Sequence, residues 1–318
     1  MAAAVAATLS GGVAAYAAPG PSAPDPAAVR GVQEQVRKMA AAAAPTDETK
    51  FGDMTGDGKA DLLAVGPDGN LYVYPGRGIV YSGTGERQRG YFDRRIKAGT
   101  NWNSFDHRVR HGDWNTDGKQ DVLAVTAQGR LVFYAGTGNA AQPVANGVVM
   151  GNGWTGFDDL VGIGDGNGDG FDDLIARKNG RLIRYEGTGN TGGIFRRHPV
   201  AAGNGWNGSK LTSVGDWTGD GVSEFVFRNT NNQLWLYRGR AGSGFPANSP
   251  SALGSTGFGA SLNQLVGMGN LTSDAGRTAL PDLVFTAIPG GGLWAVAPDT
   301  GESFNGSLGA GWSGYILF

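Results

Sequence analysis

The sequence predicts an all-β protein, a β-propeller of five four-stranded blades preceded by a short N-terminal helix, and three observations predict it. An oxygen-rich run, Gly164 to Leu174 with Asp165, Asn167, Asp169 and Asp173 at alternate positions, recurs as Gly52 to Leu62, Gly112 to Val122 and Gly215 to Phe225, with an eroded copy near Asn270. Each intact copy runs straight into an apolar strand and then a hairpin signal. Successive copies begin at Asp53, Asp113, Asp165, Asp216 and Asn270, spacings of 60, 52, 51 and 54 residues, the length of one four-stranded blade.

Length alone would allow two domains in 318 residues, but a single ring absorbs the whole repeat region. Fifty-seven glycines with only 17% charged residues fit an all-β chain with many tight turns, and 40% apolar content suffices for a core. With no cysteine, disulfides, thiolate metal sites and a cysteine nucleophile are excluded; His107, His111 and His198 leave little room for imidazole chemistry. Twelve of the 28 acidic residues are candidate ligands in the four intact loops, so the rest of the chain is basic. That excess is spread out, without the Lys/Arg cluster a nucleic-acid surface needs, and no nucleic-acid partner is expected.

In chain order, residues 1–17 are small and apolar and end in Ala15-Tyr16-Ala17, an A-x-A pattern before Ala18. They are expected to be a secretory signal, truncated because the basic n-region is missing; the competing reading is a low-complexity tail. The segment is too short and too glycine-interrupted to span a membrane, and the protein is expected to be secreted. Residues 18–26 form a Pro/Ala/Ser linker. Asp25-Pro26 then supplies an N-cap and a first-turn proline for a helix over 27–45 that Pro45 stops, its alternative being a frayed linker. Residues 46–318 are the propeller. Its second and third strands are expected at Leu62 to Val65 and Leu71 to Tyr74, Val122 to Val125 and Leu131 to Tyr134, Leu174 to Ala176 and Leu182 to Tyr185, and Phe225 to Phe227 and Leu234 to Tyr237. Turns such as Pro67 to Asn70, Gln128-Gly129 and Asn179-Gly180 join them. A tryptophan segment precedes each next loop: Asn101-Trp102, Gly153-Trp154, Gly205-Trp206 and, at the C-terminal end, Gly311-Trp312. Because the first copy lacks its own such segment, Trp312 to Phe318 is expected to complete the first blade and close the ring.

Counted from the first aspartate, oxygen ligands fall at positions 1, 3, 5, 7 and 9 with glycine at 6. The sets are Asp53, Thr55, Asp57, the Lys59 carbonyl and Asp61; Asp113, Asn115, Asp117, the Lys119 carbonyl and Asp121; Asp165, Asn167, Asp169, the Phe171 carbonyl and Asp173; and Asp216, Thr218, Asp220, the Val222 carbonyl and Glu224. Hard oxygens in this number suit Ca²⁺, about four ions in all. Three carboxylates on one nine-residue turn repel each other without a cation among them. The loops are not EF-hands, since position 12 holds Ala64, Ala124, Ala176 and Phe227 instead of a bidentate glutamate. The fifth copy, Asn270 to Asp274 with Asp282 twelve positions on, has an insertion and too few charges, so no calcium or only a weak site is expected there.

These loops resemble the FG-GAP or VCBS-type repeat of integrin α-subunits, whose signature is similar to Asp-x-Asn/Asp-x-Asp-Gly-x-x-Asp before a strand. The resemblance spans about 268 residues, from Phe51 onward. It implies a propeller with Ca²⁺ in the loops joining the first two strands of each blade, in a family that runs from integrin heads to secreted bacterial modules and integrin-like propeller lectins. The chain departs from the pattern in keeping Phe-Gly only at Phe51-Gly52, in lacking Gly-Ala-Pro, and in having five copies where integrins have seven.

No Gly-x-Ser-x-Gly elbow, His-Glu-x-x-His motif or histidine-centred triad is present, and the loops account for most carboxylates, so no enzyme is expected. Trp102, Trp154, Trp206 and Trp312 occupy equivalent positions beside Asn and Gly. Either they form flat sugar-binding faces or they wedge between blades. Trp114 and Trp217 are expected as packing or rim residues, Trp235 and Trp294 as core. Two functions fit: a secreted Ca²⁺-dependent module recognising glycans or a protein surface, similar to the lectins of the family, or an accessory protein-interaction module with no small ligand.

Overall fold

The computed structural model describes residues 51–78, 91–190, 193–199, 206, 208, 210–243, 250–253, 262–269, 282–287, 292–296, 306–309 and 311–318. The expected signal, linker and N-terminal helix, and residues 270–281 of the fifth loop, lie outside the described residues, as does the side chain of Trp294. Among the described residues no helix is long and apolar enough to cross a membrane.

The fold is an all-β propeller. The first sheet contains β1 (Leu62–Val65), β2 (Leu71–Tyr74) and β3 (Ile96–Gly99). The second contains β4 (Phe105–Val109), β5 (Val122–Thr126), β6 (Leu131–Tyr134) and β7 (Val148–Gly151). The third contains β8 (Asp159–Gly164), β9 (Asp173–Lys178), β10 (Arg181–Gly187) and β11 (Phe195–Pro199). The fourth contains β12 (Lys210–Gly215), β13 (Glu224–Arg228), β14 (Leu234–Tyr237) and β15 (Pro250–Ala252). The fifth contains β16 (Leu262–Met268), β17 (Asp282–Ala287), β18 (Gly292–Val296) and β19 (Gly306–Gly309). Finally β20 (Ile316–Leu317) returns to the first sheet, so that among the described residues each of the five sheets has four strands.

Each sheet is an antiparallel meander in which sequence neighbours pair, with β20 added beside β1 in the first. Asn179 and Gly180 show why these residues make the turns: φ of 52° and 68° gives the left-handed pair that a tight hairpin between β9 and β10 needs. The second strand of each blade is apolar on both faces because a neighbouring sheet covers each. All four residues of β1 are buried, and only Thr126 of β5 is not. The outer strands β3 and β7 carry no fully buried residue.

The ring is assembled by the first strand of each sheet. β8 packs beside β4 and β12, and β16 beside β12 and β20. The expected closure is present: Ala64 pairs with Leu317 and Val65 with Ile316, antiparallel, and Phe318 donates to the Leu63 carbonyl. Phe318 also enters the cluster of Val122, Ala124 and Trp102, joining the first sheet to the second.

The tryptophan segments link successive blades in one repeated way. The Trp102, Trp154 and Trp206 amides donate to the hairpin carbonyls of Gly69, Gly129 and Gly180 in the blade before, at 2.8, 3.0 and 3.3 Å. Their rings pack on Tyr134, Tyr185 and Tyr237 of the blade after, centroids 4.8 to 4.9 Å apart, and Trp312 does the same on Tyr74 at 4.7 Å.

Candidate metal centres

The four oxygen-rich loops all lie on one rim, following β4, β8 and β12 and preceding β1, and their backbone is shaped by their own side chains. At position 1, the Asp53 carboxylate accepts from the amides of Gly56 and Gly58 at 2.7 and 2.8 Å. Asp113 accepts from Asp117 and Gly118, Asp165 from Gly168 and Gly170, and Asp216 from Asp220 and Gly221. At position 5, Asp57, Asp117, Asp169 and Asp220 each accept the amide of position 7, that is Lys59, Lys119, Phe171 and Val222, at 3.0 to 3.2 Å. This leaves the loop curled around its own acidic groups, with glycine at position 6 at φ of 80 to 88°.

Position 3 differs between loops. Asn115 and Asn167 donate their amide nitrogens to the position-5 carboxylates at 3.2 and 3.1 Å, whereas Thr218 donates its hydroxyl to Glu224 at 3.1 Å. Thr55 Oγ1 is buried with no partner.

Position 9 carries a duty that spacing alone did not reveal. Asp61 takes the amides of Met54 and Thr55 on one oxygen, both at 2.9 Å, and that of Gly76, fifteen residues on, on the other at 2.9 Å. Asp121 does the same with Trp114 and Gly136, and Asp173 holds Gly187. The carboxylate is thus a clasp between the loop and the chain leaving the third strand, and Asp61 has only part of its lone-pair capacity left for an ion. Asp173 retains a buried Oδ2 with no partner.

The fourth loop, with glutamate in place of aspartate, is the tightest. Among the described residues only Asp216, Asp220 and Glu224 bring three carboxylates within 4.8 Å of one another. Glu224 takes the Thr218 amide on Oε2 at 3.0 Å and the Thr218 hydroxyl on Oε1 at 3.1 Å, so both oxygens face the loop, whereas Asp61, Asp121 and Asp173 each commit one oxygen to Gly76, Gly136 and Gly187.

Burial sets the electrostatics. It raises Asp61 to about 6 and Asp121 and Asp173 to about 7, and pushes Glu224 well up, with the neighbouring loop aspartates adding repulsion. Groups this costly to ionise when metal-free are ones a divalent cation would ionise outright. The buried unpaired Thr55 Oγ1 and Asp173 Oδ2 and the converging fourth-loop acids fit a hard cation.

The loops also bolt neighbouring blades. The Asp113 amide donates to Asp172 at 2.5 Å, the Ser223 amide to the Asp165 carbonyl at 2.8 Å, and the Gly242 amide to the Asn167 carbonyl at 2.7 Å.

The aromatic positions are not open platforms. Trp102, Trp206 and Trp312 are 3, 6 and 9% exposed, and Trp154 is half-buried against Phe157, Tyr185 and Phe195. Of the two roles open to these four rings, their packing matches the wedge between blades: each ring lies on a tyrosine of the blade after it. Trp114 and Trp217, expected as packing or rim residues, are fully buried, and Trp235 is half-buried on β14.

No family model matches this chain, and no curated protein does. Among solved structures, similarity is found to an Agrocybe aegerita lectin specific for non-reducing terminal N-acetylglucosamine (TM-score 0.42, 16% identity, 78% of this chain and 63% of that one). It is also found to the Photorhabdus luminescens Tc holotoxin pore (0.39, 12%, 84% and 14%) and to the Dos1 propeller (0.34, 8%, 79% and 67%). The chain thus spans less than two thirds of the lectin's length and a small part of the toxin's. The fold assignment rests on the strand order given above.

Proposed function

We propose that this chain is a secreted, calcium-binding, non-catalytic binding propeller of five blades, with one Ca²⁺ in each of the four intact loops. The observation that carries this is the convergence of Asp216, Asp220 and Glu224 in a loop whose pattern recurs three more times at the blade period. Asp53, Asp113, Asp165 and Asp216 at position 1, with their position-3 and position-5 neighbours, would hold the ion. The remaining capacity of Asp61, Asp121, Asp173 and Glu224, and the carbonyls of Lys59, Lys119, Phe171 and Val222, would complete the shell. The ion supplies charge neutralisation and a fixed turn, and the loop side chains position it between two strands and the next blade.

The partner is a glycan or a protein surface. One observation favours the second: the burial of Trp102, Trp206 and Trp312 removes the repeated aromatic faces a sugar would stack on. Calorimetric titration of chelator-treated protein with Ca²⁺ tests the metal reading, with a stoichiometry near four expected and one or none overturning it. A glycan array run with calcium and with chelator separates the partners; saturable, calcium-dependent sugar binding would overturn the preference for a protein.

A further inference from the structure

On the hairpin rim, opposite the metal loops, the first blade carries a polar cluster that shares no residue with those loops. Arg95, just ahead of β3, lays its guanidinium over the Tyr72 ring, Cζ 4.1 Å from the centroid. Its Nη1 donates to the Tyr315 hydroxyl at 2.5 Å and to that of Tyr74 at 3.4 Å. Tyr72 in turn donates to the Asp68 carboxylate at 2.6 Å, and the Asn70 side chain donates to the same oxygen at 2.7 Å. The cluster closes on the bare Cα of Gly66: a Cβ there would lie 2.7 Å from Asp68 Oδ1, 3.0 Å from Tyr72 Cε2 and 3.4 Å from Tyr315 Cε1. Tyr315 lies 220 residues from Arg95, in the segment that closes the ring, so the cluster is complete only once β20 has returned to the first sheet.

The neighbouring blades show that packing does not require these residues. Tyr72 pairs with Ala64, whereas at the equivalent places Val132 pairs with Ala124 and Ile183 with Ala176. Tyr315 stands three residues after Trp312, where Phe105 follows Trp102 and Phe157 follows Trp154. The second and third blades thus fill with hydrocarbon what the first fills with hydroxyl-bearing rings.

Arg95 is exposed, yet three tyrosines fix it in place. Among the described residues no acid forms an ion pair with it, and its Nε–H and Nη2 hydrogens have no acceptor. Asp68 is turned to Tyr72 and Asn70, and Asp93 to Arg77 at 3.0 Å. Arg94 and Lys97 beside it are exposed too, so this edge of the blade is positive. With Nη1 anchored, the Nε–H and Nη2–H pair remains, the fork that matches a carboxylate bidentately. A long side chain already held in one geometry has less freedom to lose on binding. Arg95 covers the Tyr72 ring, and Trp312 lies against the Tyr74 ring at 4.7 Å, so the cluster offers charge and hydrogen bonds in place of an open face for a sugar.

We propose that Arg95 is the anchor of a protein-binding surface and takes a side-chain carboxylate from an acidic segment of the partner. This rests on the reading that the propeller's partner is a protein, and it names the chemistry of the contact. Tyr72, Tyr74 and Tyr315 are positioning residues that hold the guanidinium for that carboxylate.

The test is fluorescence anisotropy of a fluorescein-labelled oligoglutamate peptide titrated with the full chain in calcium, against the matching oligoglutamine peptide. Saturable binding of oligoglutamate alone is expected, weakened about tenfold or more in Arg95→Ala and about threefold in Tyr315→Phe. The melting temperature of Arg95→Ala should be unchanged, since the side chain is exposed. Arg95→Lys, which keeps the charge and loses the fork, should bind nearly as poorly as Arg95→Ala. Arg94→Ala removes the same charge one residue away and should weaken binding far less. No saturable binding, or equal losses in Arg94→Ala and Arg95→Ala, would overturn the proposal. Binding of an oligogalacturonate in place of oligoglutamate would overturn it too, by assigning the cluster to acidic glycans. None of these outcomes bears on the calcium stoichiometry, and the glycan array decides the partner class without Arg95, so the readings fail separately.

Discussion

On the loop rim neighbouring blades meet through carboxylates and backbone: the Asp113 amide on Asp172 at 2.5 Å, the Gly242 amide on the Asn167 carbonyl at 2.7 Å. On the hairpin rim they meet through rings, Trp102 on Tyr134, Trp154 on Tyr185, Trp206 on Tyr237 and Trp312 on Tyr74. The first kind of joint holds buried acids at a cost that a cation removes. The second is apolar and independent of ions. One ring thus carries a joint that solvent composition can tune and a joint that it cannot.

Calcium should produce the largest effect on this comparison. At an ion concentration 100-fold above the dissociation constant, each occupied site adds about 2.7 kcal/mol, so four sites should raise the melting temperature far above that in chelator. An unchanged melting temperature would make the loop rim a purely backbone joint. Next comes Trp102→Ala, expected to cost about 3–5 kcal/mol by denaturant unfolding, because the ring is buried between two blades. That loss should be the same with calcium and with chelator; a large coupling would show that the rims are not independent.

A smaller change is expected for the double variant Asp216→Asn, Glu224→Gln. It should remove one equivalent of Ca²⁺ from the calorimetric stoichiometry and leave the other loops intact, and loss of all equivalents would mean that the loops fold as one unit. The smallest effect is a pH dependence at His111. Burial and the adjacent Arg110 charge hold this ring well below its usual range, so it is neutral when folded. An unfolded chain takes up the proton below about pH 6.5, so this contribution is fully present above that pH and is lost as pH falls, by about 1.4 kcal/mol per unit. His111→Asn should flatten that slope in unfolding experiments between pH 7.5 and 5. An unchanged slope would place the acid sensitivity elsewhere.

The fold was legible because its signals are local and periodic. The apolar run Leu62 to Val65, the turn at Gly69 and the 51–60 residue spacing each lie within one blade or mark its length. The closing strand was legible because the Gly311-Trp312 segment stood without a following loop. The position-9 clasp was not, since Gly76 reaches Asp61 only once β1 and β2 are paired and fifteen residues of chain have folded back. The contact of Arg110 and His111 with the Gly267 carbonyl was hidden for the same reason on a larger scale, since they lie 157 and 156 residues from it in sequence. For the tryptophans, repetition alone could not separate a wedge from a sugar platform. Only the tyrosine of the following blade decides it, because both roles ask for the same flat apolar ring.

The return of β20 to the first sheet has a consequence for how the ring is made. During synthesis β1 emerges before the strand that covers its inner edge, and Ala64 and Val65 wait while more than two hundred further residues are added before Leu317 and Ile316 arrive. Over that interval the first blade exposes an apolar edge able to pair with the wrong partner, and the final pairing closes a loop of very high contact order. The last strand of the ring to be made is therefore also its lock.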